Sequence, residues 1–346
     1  MKRIRSLDLA RGFTVLFIPA IHTGMLYSQF AVHHSVIGRF LICIAEGPGG
    51  QLLMLLMGVS FAFKSEHRFK TVFAKAVILL AAGYLLNILK FIWPYEFGWL
   101  PTEILSELGV NKDEPVPLQL FAIGDILHFS AIATLMLYIV HKQKNFVVLS
   151  LILSVIIIVA SPLLWDLYTK SPKLNYILLL IGGQPPQMFF PLFPWLVYPL
   201  TGLAIGNYLE INERRTNIIA CIIGVILIVI GLVAARLYPQ DNSAGFYRTS
   251  PADTTWHLGV VMLTIFLWFW ISKCAKDNLL FDLLIYSSKN ITSIYCVQWV
   301  MICWILPIVG FRRLDLPYSI IMMVIMTVNT YAIVYIFQHL KSRHAK

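Results

Sequence analysis

Charge is scarce in this chain. Asp, Glu, Lys and Arg make up 13% of its 346 residues, about half the share found in a soluble domain. Hydrophobic residues make up 58%, and the mean hydropathy is +0.76. Such a balance excludes a water-soluble globule of this size. Cysteine spacing that would bind metal is absent too. Cys43, Cys221, Cys274, Cys296 and Cys303 form no CxxC or CxxxC pair. Cys296 and Cys303, seven apart, suit packing better than zinc, so no metal is expected. There is no repeat at a fixed period and no low-complexity tract. No basic stretch is interleaved with aromatics, so no nucleic-acid partner is expected.

What is present is a series of apolar runs of about 20 residues, the length that crosses hydrocarbon. They fall near 12–32, 46–63, 71–93, 118–140, 145–165, 190–209, 216–237, 254–272, 289–310 and 316–340. Lipid forces such runs into helix, because each backbone polar group must be satisfied within the span. The expectation is an all-α, polytopic membrane helix bundle of about ten transmembrane helices, with 1–346 a single transmembrane domain. The first run is too long for a cleaved signal peptide, and "TGMLYSQF" offers no small-residue cleavage site, so it is expected to be retained. The segment 277–288 reads either as a helix along the membrane surface or as the first turns of the ninth span.

Charge sets the orientation. Of the 27 Lys and Arg, eighteen lie on the loops that share a side with the N-terminus and nine lie elsewhere. By the positive-inside rule both termini are expected in the cytoplasm. The loop 94–117 agrees, with Glu96, Glu103, Glu107, Asp113 and Glu114 against Lys112 alone. The net charge of +10 then reflects topology and attraction to anionic membrane lipid.

Ionisable groups inside spans are costly and mark functional sites by default. His22 and His128 each stand ten residues into their expected spans, and Gln298 stands nine in, roughly 14–15 Å deep at the helical rise. Asp125, three residues before His128, shares its face and could orient the imidazole of a general base. Arg11 and His22, eleven apart, fall on one helical stripe about 16 Å apart, with Asp8 placed to pair with Arg11. Eleven residues further is His33, then His34, near Glu46, Asn87, Asp253 and His257. On a straight helix His33 would stand about 33 Å from Arg11, so His22 is the histidine expected to carry more of the chemistry, unless the chain after Tyr27 folds back.

"RIRSLDLARGFTVLFIPAIH", "GPGGQLLMLLMGVSFAF", "GDILHFSAIATL", "FPLFPWLVYPLTGLAIG" and "SSKNITSIYCVQWV" together resemble the integral-membrane acyltransferases around heparan-α-glucosaminide N-acetyltransferase. A more distant likeness is to the membrane O-acyltransferases of bacterial polysaccharides. The resemblance implies transfer of an acetyl group from cytoplasmic acetyl-CoA to the amine or hydroxyl of a sugar on the outer side, in a bacterial inner cell membrane. It implies a catalytic histidine at His22 by the polysaccharide pattern, or at His33 by the glucosaminide pattern. A basic inner mouth of Arg11, Lys64, Arg68 and Lys75 would take the coenzyme phosphates, and Gln298 stands where relatives often carry His. His128 and Asp125 complete the expected catalytic set, and homo-oligomerisation is left open. The rival reading is a proton-coupled transporter or flippase that uses midplane His and Asp as a relay. The sequence shows no paired interruptions in its two halves, as such transporters commonly do.

Overall fold

The computed structural model describes residues 4–64, 68–111, 113–165, 167–238 and 245–344. Their α-helices run in chain order as α1 (Arg5–Tyr27), α2 (Phe30–His33), α3 (Val36–Ile44), α4 (Gly50–Ala62), α5 (Phe69–Asn87), α6 (Trp93–Glu96), α7 (Thr102–Glu107), α8 (Val116–Ala122) and α9 (Ile126–His141). After these come α10 (Phe146–Ala160), α11 (Pro172–Gly182), α12 (Leu192–Trp195), α13 (Val197–Ile211), α14 (Glu213–Leu237), α15 (Pro251–Cys274), α16 (Leu279–Lys289), α17 (Ile291–Val309) and α18 (Leu316–His344). Two isolated parallel β-bridges, Ser28 with Leu314 and Gly124 with Met188, are the strand-like pairings among the described residues.

Eight helices among the described residues are long and apolar enough to cross a membrane: Arg5–Tyr27, Val36–Ala62, Phe69–Glu96, Phe146–Leu164, Glu213–Leu237, Pro251–Cys274, Ile291–Val309 and Leu316–Arg343. The all-α membrane architecture expected from composition is therefore present. Two expected spans are shorter. The run 118–140 is split, because Gly124 pairs with the chain at Gln187 and Phe189 and Asp125 starts α9 afresh. The run 190–209 is interrupted by a non-helical Phe193 before α13 begins. At 16 and 15 residues, α9 and α13 rise about 23 Å, against about 30 Å of hydrocarbon. The segment 277–288 forms its own helix, α16, capped by the Asn278 side chain, which accepts from Phe281 N–H at 3.0 Å.

The chain divides into two interleaved compact units. Unit one comprises Met1–Leu7, Gly47–Tyr84 and Ala122–Cys274. Here α4 and α13 approach backbone to backbone, since a Cβ at Gly58 would meet the Pro199 carbonyl and one at Gly202 the Leu55 carbonyl. Small residues at such crossings are how membrane helices pack, because lipid supplies no hydrophobic drive between them. Ser154 and Thr201 share a hydrogen bond of 3.3 Å between α10 and α13. The outer faces stay apolar, as with the exposed Ile222, Ile226 and Val229 of α14.

Unit two comprises Asp8–Glu46, Leu85–Phe121 and Ala275–Lys346. Its α1 ends at Tyr27 because the next backbone groups are taken by the loop before α18. Arg312 N–H donates to Leu26 O (2.8 Å), Leu314 N–H to Tyr27 O (2.8 Å) and Gln29 N–H to Leu314 O (2.9 Å). The buried Tyr27 hydroxyl fixes the same corner by donating to Ile302 O at 2.8 Å.

Candidate functional site

In unit two the chain beyond Tyr27 turns back rather than continuing α1. The short α2 follows, and Ser35 caps α3, its hydroxyl accepting from Gly38 N–H (3.1 Å) while donating to Val32 O (2.6 Å). Gly38 has no side chain where one would strike the Val32 carbonyl and the His33 backbone, so α3 can lie against α2. The outcome is that half-buried His33 reaches Gly24, its Nε2 standing 3.3 Å from the Gly24 carbonyl oxygen. A carbonyl only accepts, so the ring donates from Nε2 and the neutral imidazole keeps its lone pair on Nδ1. Straight-helix spacing had placed His33 far beyond His22; the turn brings it beside Gly24, two residues after His22.

His22 itself lies five residues before the end of α1, not ten residues into a span starting at 12. Its ring stacks on Trp299 of α17 at a centroid distance of 4.2 Å and 25° between planes, with Tyr295 edge-on at 6.2 Å. Gln298, next to Trp299, is fully buried and donates from Nε2 to Tyr295 O at 3.1 Å. Gln298 Oε1 and Trp299 Nε1 are buried and have no hydrogen-bond partner among the described residues. Each is a buried polar atom left without a partner, a costly condition inside a membrane helix.

Lower on α1, half-buried Arg11 follows buried Asp8, whose Oδ1 accepts from the Ser288 hydroxyl of α16 at 2.9 Å. Close packing of α1 on α16 depends on Gly12, where a Cβ would enter the Leu284 backbone.

Unit two also holds a residue that sequence reasoning missed. Lys90 is 3% exposed and lies in a π-helical stretch, Ile88–Ile92, between α5 and α6. Pro94 explains the stretch: it has no N–H for the carbonyl four residues back, which is that of Lys90. The Trp304 indole of α17 donates to Leu89 O at 2.7 Å within the same stretch. The Lys90 ammonium stands 4.7 Å from the Phe91 ring and 5.1 Å from the Trp299 ring that carries His22. Nearby Asn87 is fully buried, its Nδ2 donating to Phe121 O at 3.0 Å.

In unit one Asp125 and His128 form a capping box at the start of α9. Asp125 Oδ1 accepts from Ile126 N–H at 2.6 Å, and the Asp125 backbone N–H donates to His128 Nδ1 at 3.2 Å. The bond to the ring therefore comes from the main chain of Asp125, and it makes Nδ1 an acceptor. His128 is three residues into its helix, so the depth arithmetic built on a span from 118 does not apply. Its ring meets Tyr84 edge-on at 4.5 Å and covers Gly83. Ser250 stands before α15, its hydroxyl accepting from Asp253 N–H (3.0 Å) and donating to Asp253 Oδ2 (2.7 Å); Asp253 also accepts from Trp256 Nε1 (3.0 Å), and His257 packs on Trp256 at 3.8 Å. Half-buried Lys64 and exposed Arg68 and Lys75 flank the start of α5. No group of three His, Cys, Asp or Glu placed to hold a metal ion occurs among the described residues.

Long apolar helices that carry His22, Trp299 and Lys90 together in unit two define a multi-pass membrane protein with polar groups inside its helices. Within that class the particular family follows from comparison. The chain belongs to the family of the heparan-alpha-glucosaminide N-acetyltransferase catalytic domain, whose model matches residues 3–239. It is accordingly a membrane acetyltransferase. No individual curated protein and no solved structure matches it.

Proposed function

We propose that the protein moves an acetyl group from acetyl-CoA to the amine or hydroxyl of a sugar across the membrane, with its reacting groups in unit two. The observation that carries this reading is the turn after Tyr27. It puts His33, its tautomer set by Gly24 O, beside the stretch of α1 that bears His22. In this reading His33 Nδ1 is the general base. The acceptor nitrogen or oxygen attacks the thioester carbonyl while His33 takes its proton. The C–S bond then breaks, and coenzyme A leaves as a thiolate that the imidazolium reprotonates. Because a thioester is already activated, orientation and charge stabilisation are the other needs.

The rest of unit two supplies binding. Pantetheine carries amides with both a donor and an acceptor, which suits the unbonded Gln298 Oε1 and Trp299 Nε1. Arg11 offers a planar fork for phosphate, with Asp8 held by Ser288 one turn before it. The exposed rings of Trp93, Trp99 and Trp304 cluster at 6.1–6.2 Å in unit two and offer faces on which a sugar could stack. His128 and Asp125 serve α9 as its cap in this reading. The 18-to-9 split of Lys and Arg supports cytoplasmic termini and a place in the cell membrane.

Calorimetric titration of the detergent-purified protein with acetyl-CoA tests the donor assignment. Saturable binding, with none for acetyl phosphate at the same concentration, is the expected outcome. Absence of acetyl-CoA binding by folded protein would refute the reading.

A further inference from the structure

We propose that Glu107 and Arg312 are positioning residues for the sugar acceptor. Their ion pair ties the segment that carries Trp99 to the turn that carries His33, and so fixes the stacking rings relative to the base. The inference rests on the proposed roles of His33 and of the tryptophan rings, and extends them to two residues that those roles leave unused.

Arg312 is the one residue other than glycine with a positive φ among the described residues, at 52°. A side chain crowds the backbone in that left-handed region, which glycine enters freely. Such an outlier points to a job for the side chain. Here the guanidinium presents a planar fork to one carboxylate: Nη1 donates to Glu107 Oε1, and Nη2 donates to Glu107 Oε2 at 3.2 Å. Two-point contact of this kind fixes orientation as well as distance. The same guanidinium lies over the Phe30 ring at 4.6 Å and the Phe311 ring at 4.7 Å, and those faces hold the cation in place. With 28% of its side chain exposed, Arg312 is screened less than a fully solvated partner would be.

Each partner leads to one half of the proposed site. On one side, Phe30 meets the His33 ring edge-on at 5.8 Å, both residues standing on α2. On the other, Glu107 ends α7, and buried Ile104 and Leu100 seat that segment. Just before them comes Trp99, which stacks on Phe97 at 4.9 Å and meets Trp304 edge-on at 6.2 Å. The six residues of α7 rise about 9 Å, so ion pair and ring platform belong to one short rigid piece. The base is held separately. His33 bonds Gly24 O, and the Arg312 main chain bonds Leu26 O; neither contact uses the Glu107 carboxylate. Breaking the ion pair therefore frees the ring platform and leaves the base where it is.

The test is steady-state acetyl transfer from acetyl-CoA to glucosamine by the purified protein, with acetyl-CoA affinity read by calorimetry. Glu107→Gln keeps the size of a side chain that is 44% exposed, and should melt like wild type. It should raise the glucosamine KM about tenfold or more, while kcat falls less than about threefold and acetyl-CoA affinity stays. Arg312→Gln should match it, and the double variant should be no worse than either single one, because both act through one contact. Arg312→Lys, which keeps the charge over Phe30 and loses the fork, should lie between. Trp99→Ala should show the same rise in KM. An unchanged glucosamine KM in Glu107→Gln, additive losses in the double variant, or a parallel loss of acetyl-CoA affinity each overturns the proposal. A fall in kcat alone does so as well, since it would make the pair a support for His33. Wild-type protein that acetylates no glucosamine fails the acetyl-transfer reading itself and takes the proposal with it, an outcome distinct from those in the variants.

Discussion

Replacing His33 by Gln separates the two jobs its ring performs. The imidazole donates to the Gly24 carbonyl at 3.3 Å, and that carbonyl also accepts from Ser28 N–H at 3.2 Å. Removing the ring donor leaves the carbonyl bonded, so His33→Ala should lose only about 0.5–1 kcal/mol of stability, the low end for a hydrogen bond. His33→Gln retains an N–H that can reach the same oxygen and should melt close to wild type. Neither variant has a base. Loss of a general base typically costs 10²–10⁴-fold, or roughly 3–5 kcal/mol of barrier. Acetyl transfer to glucosamine by purified protein, with melting followed by intrinsic fluorescence, reads both effects. His33→Gln should be stable and slowed at least about 100-fold. A stable His33→Gln that turns over within about threefold of wild type would refute His33 as base, and would move that role to His22.

Other outcomes follow from the same geometry. Gly38→Val removes no chemical group but drives a side chain into Val32 O and the His33 backbone, so turnover should fall about tenfold or more with acetyl-CoA affinity retained; unchanged turnover would mean that His33 placement does not matter. Arg11→Ala should weaken coenzyme A binding about tenfold or more in calorimetry, and Arg11→Lys should recover part of it, because a point charge cannot reproduce the fork. Cysteines introduced at Lys142 and Lys273 should be labelled from the cytoplasmic side and one at the exposed Tyr168 from the outside; any reversal would break the proposed ten-span orientation.

Helices were legible because apolar runs of membrane length leave the backbone no alternative. Their ends were less so. The stop at Tyr27 depends on Leu314, and the break before Asp125 depends on Gln187 and Phe189; each partner is distant in sequence and carries no local signal. Counting residues along unbroken spans therefore does not give the places of His22 and His128, whereas the turn after Tyr27 is the alternative that the spacing of His33 leaves open. Asp125 and His128 had a nearer clue, since an Asp three residues before a polar side chain also fits a helix start. Lys90 was hidden by the apolar run around it. Its signal was the spacing to Pro94, four residues on, which marks a carbonyl that a regular helix cannot satisfy.

The central claim is that this membrane acetyltransferase carries acetyl from acetyl-CoA to a sugar amine or hydroxyl on the opposite side. Sealed vesicles containing the purified protein, loaded with acetyl-labelled coenzyme and bathed in glucosamine, test it most directly. The account predicts labelled N- or O-acetylglucosamine outside the vesicles, formed by wild type and lost with His33→Gln. Folded, acetyl-CoA-binding protein that leaves the external sugar unlabelled would contradict it.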